Sequence, residues 1–111
     1  MQIAPNEIFA GYTFDTAAGE IRIPLTSLPG LSEAEANATT GNGMEVIRQI
    51  VDRTHSALTA LAPTARPTKA TVTKPNPSIA SGLNVAPGTL RQSYNLAFDL
   101  MPVALELASE V

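Results

Sequence analysis

The stretch Thr89–Met101 constrains the fold more than any other part of the chain. Apolar Leu90, Tyr94, Leu96, Phe98 and Leu100 alternate there with Arg91, Ser93, Asn95 and Asp99. A period of two over that length places one face of a strand on a core and leaves the other wet. A partner strand is predicted at Lys69–Lys74. Pro75 and Pro77 interrupt it because proline cannot donate to a ladder, and Ser78-Ile79-Ala80 resume it. Pro87-Gly88 supplies a turn, so the pair reads as a wide hairpin with its loop near Gly82–Gly88.

Ahead of that hairpin, Ile8, Ala10, Tyr12 and Phe14 alternate with Phe9, Gly11 and Thr13, predicting a strand near 8–14. Ala17-Ala18-Gly19-Glu20 reads as a turn into a second short strand carrying Ile21, Ile23 and Leu25, and Pro24 confines that strand to an edge. Ser32-Glu33-Ala34-Glu35 has the form of a capping box opening one helical turn. A longer helix follows, with Ile47, Ile50, Val51, Thr54, Leu58 and Leu61 as its apolar stripe, Thr40 or Asn42 as its cap and Pro63 as its stop. Val103, Leu105 and Leu107 predict a short terminal strand, with helix as the alternative. The fold class that results is α+β: a small antiparallel sheet with one long amphipathic helix packed on it. Residues 1–20 read as an extended N-terminal arm, and residues 21–111 as a single domain.

A chain of 111 residues with 44% hydrophobic content can bury one modest core. Charged residues make up 15%, against about 25% in an average domain, which leaves a surface suited to cover by neighbours. The absence of cysteine excludes a disulfide framework, a thiolate metal site and a cysteine nucleophile. Met1–Glu7 lacks the basic and apolar stretches of a secretory leader, and no run approaches the ~20 apolar residues of a membrane span. The expectation is therefore a soluble protein with no leader and no membrane partner. The net charge of −3 is unevenly spread. Residues 1–65 hold seven acids and three bases, residues 66–98 hold four bases and no acid, and the last thirteen hold three acids. Such opposed patches can steer head-to-tail association.

Reaction chemistry finds little support. His55, the one histidine, borders the helical stripe, and its neighbour Ser56 points roughly a hundred degrees away around the helix. A boundary histidine fits better than a general base, which needs a partner within hydrogen-bond reach. Scattered acids give no metal-ligand spacing. Thr40-Gly41-Asn42-Gly43 lacks the Lys-Ser/Thr of a phosphate-binding loop and reads as a turn. Asn37-Ala38-Thr39 matches a glycosylation acceptor by chance. Lys69, Lys74 and Arg91 with Tyr94 fall short of a nucleic-acid surface in an acidic chain. The expectation is a non-enzymatic protein with no cofactor, no metal and no nucleic-acid partner.

The segments Ile21-Arg22-Ile23-Pro24-Leu25, Leu28–Asn37, Thr39-Thr40-Gly41 and Arg66-Pro67-Thr68-Lys69 resemble small virion structural proteins of cyanobacterial tailed phages. The resemblance covers residues 21–100 and rests on turn and packing signals. The prolines at 75 and 77 and the apolar tail depart from the pattern. The resemblance implies a capsid decoration or cement protein in the virion, bound to the major capsid protein or another virion subunit and homo-oligomeric, often as a trimer. A tail or neck subunit and a cellular protein-binding adaptor are the alternatives. The candidate contact residues are Ile3, Ile8, Phe9 and Tyr12 in the arm and Lys74, Ile79, Leu83 and Val85 in the hairpin. Membership of the chain's own core is the competing role for Phe9 and Tyr12.

Overall fold

The computed structural model describes residues 3–100, and its backbone divides into two compact units, Met1–Arg66 and Pro67–Val111. The fold is α+β, with small antiparallel ladders and one long helix. The first unit contains α1 (Pro5–Ile8), β1 (Thr13–Asp15), β2 (Glu20–Arg22), a 3-10 turn (Leu25–Ser27), α2 (Glu33–Ala36), α3 (Gly43–Thr59) and a second 3-10 turn (Pro63–Ala65). The second contains β3 (Ala70–Thr73), β4 (Ser78–Ile79), β5 (Leu90–Arg91) and β6 (Asn95–Phe98). The tail strand or helix expected around Val103–Leu107 lies outside the described residues.

In the first unit local side-chain bonds set nearly every corner. Asn42 caps α3 by accepting from the Glu45 N–H at 3.2 Å, and Glu45 places a negative charge in the first turn, where the helix dipole favours it. At the other end Arg66 donates to the Leu61 and Thr59 carbonyls at 3.1 and 3.3 Å, satisfying groups the helix leaves open. The capping box forms as the sequence specifies: Ser32 Oγ accepts from Glu35 N–H, and the Glu35 carboxylate accepts from Ser32 N–H. Asn37 Oδ1 accepts from the Thr39 and Thr40 N–H groups and turns the chain toward α3.

The core of this unit is Phe9, Leu28 and Leu31, with Ile8, Tyr12, Ile23, Leu25, Val46 and Ile50 packed around it. Both short helices pack on α3, and Arg53 Nε ties α3 to α1 by donating to the Ile8 carbonyl at 2.8 Å. The helix meets the core along Val46, Ile50 and Arg53, with Ala57 and Leu58 buried further on. Ile47, expected in the stripe, is exposed. The 3.6-residue period allows either neighbouring line, and the position of Leu28 and Leu31 selects the one through Val46.

Residues 1–20, read as a separate arm, belong to this unit. The run 8–14, expected as one strand, divides into α1, a turn and β1. Pro5 stands at the first helical position, where its missing N–H is no loss, and the Glu7 carboxylate accepts from Ala4 N–H, so residues 5–8 close a helical turn. β1 then pairs with β2 across the turn at 16–19. Asp15 Oδ1 holds that turn by accepting from Ala17 and Ala18 N–H at 3.1 Å. On the charged face Arg22 donates to Asp15 at 2.8 Å and lies 3.6 Å from Glu20.

The second unit is an antiparallel ribbon. β3 pairs with β6 in the register Ala70↔Phe98 through Thr73↔Asn95, and β4 pairs with β5 as Ser78↔Arg91 and Ile79↔Leu90. Between the ladders residues 74–77 oppose 92–94, four against three, which is a bulge. Pro75 and Pro77 account for it, since neither can donate. Gln92 Nε2 bridges the gap by donating to the Pro75 carbonyl at 2.6 Å. The strand read as continuous over 89–101 is thus two ladders flanking this break. Bonds from Ala80 N–H to Thr89 O and from Asp99 N–H to Lys69 O, both 2.7 Å, extend them at either end. The loop falls where the prolines and glycines placed it, with positive φ at Gly82, Asn84 and Gly88.

Candidate protein-contact surface

The ribbon leaves most of its large apolar side chains exposed. Ile79 is 72% exposed, Leu90 69%, Phe98 63% and Leu96 47%, while Leu83 at the loop tip reaches 92%. Antiparallel pairing sets Ile79 beside Leu90, and Val72 beside Leu96 two registers from the Ala70–Phe98 pair. Each apolar pair therefore shares a face. Val72 and Ala80 are the buried members of this unit among the described residues. Isolated apolar side chains on a surface are ordinary, but the exposed Ile79–Leu90 pair on one ladder and Leu96 and Phe98 on the other give the two-stranded ribbon an apolar surface that another chain can cover.

Polar groups frame the patch. The Lys74 ammonium lies 5.7 Å from the centroid of the Tyr94 ring, across the bulge, in cation–π range. Arg91 follows Leu90 on β5 and is exposed, so the ladder presents positive charge on the face opposite its Ile79–Leu90 pair. Val85 is half-buried and lines a hollow of about 290 Å³ under the loop, with Ala80, Asn84, Thr89 and Leu90. Of the hairpin residues named from the sequence, Lys74, Ile79 and Leu83 stand at the surface and Val85 lies partly beneath the loop.

The arm residues sit differently. Phe9 is buried in the core of the first unit, Ile8 and Tyr12 pack against it, and Ile3 is half-buried. The α1 turn points Phe9 inward, so its side chain has no surface to offer a partner. The residues of this segment that sequence reasoning missed are Phe14 and Ile21. They are paired across β1 and β2 and exposed at 59% and 63%. Their signal is the apolar alternation on either side of the 16–19 turn, which places Phe14 and Ile21 on strands without saying which face is covered.

His55 lies half-buried on α3, with exposed Ser56 beside it in sequence. Leu28, Gly30, Gln49, Asp52, Arg53 and Ser56 line an open cavity of about 300 Å³ to which His55 does not contribute. At the start of α3, hydrogen bonds from Arg48 and then Gln49 hold the Glu45 carboxyl at about 2, below its ordinary 4.5. The Arg48 fork reaches both oxygens, at 2.9 and 2.6 Å, which is helix-surface pairing. Among the described residues no group of three or more His, Cys, Asp or Glu converges in a way that could hold a metal, and no helix is long and apolar enough to cross a membrane. No protein-family model, no curated protein and no solved structure matches this chain.

Proposed function

We propose that the chain is a non-enzymatic structural subunit that works by covering and being covered by other polypeptides. The observation that carries this reading is the exposed apolar ribbon, on which Ile79, Leu90, Leu96 and Phe98 stand in solvent on two-stranded ladders. Two-stranded ribbons gain stability when a further strand or another chain covers their apolar face and open edges. The resemblance of residues 21–100 to phage virion proteins gives the setting: a decoration or cement protein on the capsid shell, with the major capsid protein as its partner.

The test uses shells assembled from the major capsid protein encoded in the same genome. The purified chain, added in excess and sedimented through a cushion, should bind at a fixed ratio per capsid subunit and raise the temperature at which the shells break. Ile79→Asp with Leu90→Asp should abolish cosedimentation while the unbound protein keeps its helical circular dichroism. Shells that bring down none of the wild-type chain would overturn the reading, as would equal binding by the double variant.

A further inference from the structure

The two exposed apolar pairs have matching construction. On the hairpin of the first unit, Phe14 faces Ile21, flanked by Asp15↔Glu20 and Thr13↔Arg22. On the ribbon of the second, Ile79 faces Leu90, flanked by Ser78↔Arg91. Each ladder has only two strands, so each leaves open edges, and an open edge is a template for pairing with another chain. The charges differ in sign. The first unit holds seven acids against four arginines, whereas described residues 67–100 hold Lys69, Lys74 and Arg91 against Asp99 alone. Glu20 is exposed with only a 3.6 Å approach to Arg22, and Arg91 makes no ion pair among the described residues.

We propose that the open edge of β2 pairs with the open edge of β5 in a second copy of this chain, antiparallel, with Ile21 beside Leu90. Only one antiparallel register does this. It sets Glu20 beside Arg91 and Arg22 beside Thr89. Parallel pairing with the same apolar neighbours would set Arg22 beside Arg91, and like charges directly opposite are unfavourable. The antiparallel register makes a four-stranded sheet across two copies. Phe14, Ile21, Leu90 and Ile79 form one continuous apolar row on one face. Asp15, Glu20, Arg91 and Ser78 form a charge-compensated row on the other. Because the donor edge and the receiving edge are different surfaces, the contact is heterologous, and repetition closes a ring or extends a filament. The inference rests on the reading of the chain as a structural subunit and names its first partner as itself.

The chain has no cysteine, which makes disulfide trapping clean. Directly paired strand residues have Cα atoms about 4.5–5.5 Å apart, within reach of a disulfide. Ile21→Cys and Leu90→Cys proteins, mixed and mildly oxidised, should give a mixed disulfide dimer far above either protein oxidised alone. Light scattering on the full chain should show mass rising with concentration, and Glu20→Lys or Arg91→Glu should each weaken self-association about tenfold. The double charge swap in one chain should recover most of that loss. A chain that stays monomeric to roughly 200 μM, or Leu90→Cys that links mainly to itself, would overturn the pairing. Shell binding by a monomer would sink this inference and leave the structural-subunit reading standing. Head-to-tail association without shell binding would do the reverse.

Discussion

In the first unit Phe9, Leu28 and Leu31 close on one another under Val46 and Ile50, while in the second Ile79, Leu90, Leu96 and Phe98 stand in solvent. The first unit satisfies its corners from within: Asn42, Asp15, Ser32, Asn37 and Arg66 each bind backbone groups a few residues away. The second has two short ladders, a bulge and a loop with three positive-φ residues. The contrast is between a unit that closes a core from its own residues and one that leaves most of its large apolar side chains exposed. Burial is equally favourable per unit of apolar area in both, so under the proposed function a second polypeptide would supply the covering atoms that the ribbon lacks.

The largest test of that contrast is a pair of truncations. Leu28 is 4% exposed at the centre of the first core, and Leu28→Ala should cost about 3 kcal/mol through lost transfer energy and the cavity left behind. In a chain of this size that lowers the melting temperature by roughly 15 °C. Ile79→Ala in the isolated chain should change stability by less than about 0.5 kcal/mol, because its side chain is already in water. Thermal melts at low protein concentration decide it, and equal losses at the two positions would erase the distinction.

Gly41 sharpens the same point at the level of one atom. A β-carbon there would overlap the Glu35 carbonyl and the Asn37 backbone, because the loop folds back through bonds from Gly41 N–H to Asn37 O and from Asn42 N–H to Glu35 O. Gly41→Ala should cost about 2 kcal/mol as the loop is forced open. Gly43→Ala, with nothing within 4 Å, should be neutral or stabilising at a helix start. Asn42→Ala, which removes the cap alone, should cost about 1 kcal/mol in the same melts.

Signals that act over three or four residues were legible in the sequence. The Ser32–Glu35 box, the Asn42 cap, the Pro63 stop and the turn at Pro87-Gly88 all lie where residue chemistry places them. Fold class followed from those signals and from the alternation after Thr89. Distinctions that depend on distant partners were not legible. Ile47 and Val46 are equally good stripe residues until Leu28 and Leu31 arrive beneath one of them. Phe14 and Ile21 alternate like core residues, and only the placement of the first core on Phe9 leaves them outside. The first turn has a local cause that the alternation from Ile8 onward does not carry: Pro5 and Glu7 close a helix over Pro5–Ile8. Of the candidate contact residues, Ile79 and Leu83 are exposed, whereas the burial of Phe9 depends on the distant Leu28, Leu31, Val46 and Ile50 that pack around it.

The smallest effect concerns the start of α3, where the self-sufficiency of the first unit has an electrostatic part. Hydrogen bonds from Arg48 and Gln49 hold the Glu45 carboxyl at about 2. A carboxylate whose folded pKa is depressed contributes stability that is fully present above its unfolded value and is lost as pH falls through the folded one. For Glu45 that window runs from 4.5 down to about 2. Glu45→Gln should therefore melt slightly below the wild type at pH 7, with the gap constant to about pH 5 and closing toward pH 2. Because the pair is at the helix surface, 0.5 M salt should shrink the gap at pH 7 as well. Arg48→Gln should remove most of the pH dependence of the gap, since the guanidinium is the first cause of the shift. Parallel melting curves for wild type and Glu45→Gln from pH 7 to pH 2 would show that the carboxylate has no such partner in solution, and the helix start would then depend on Asn42 alone.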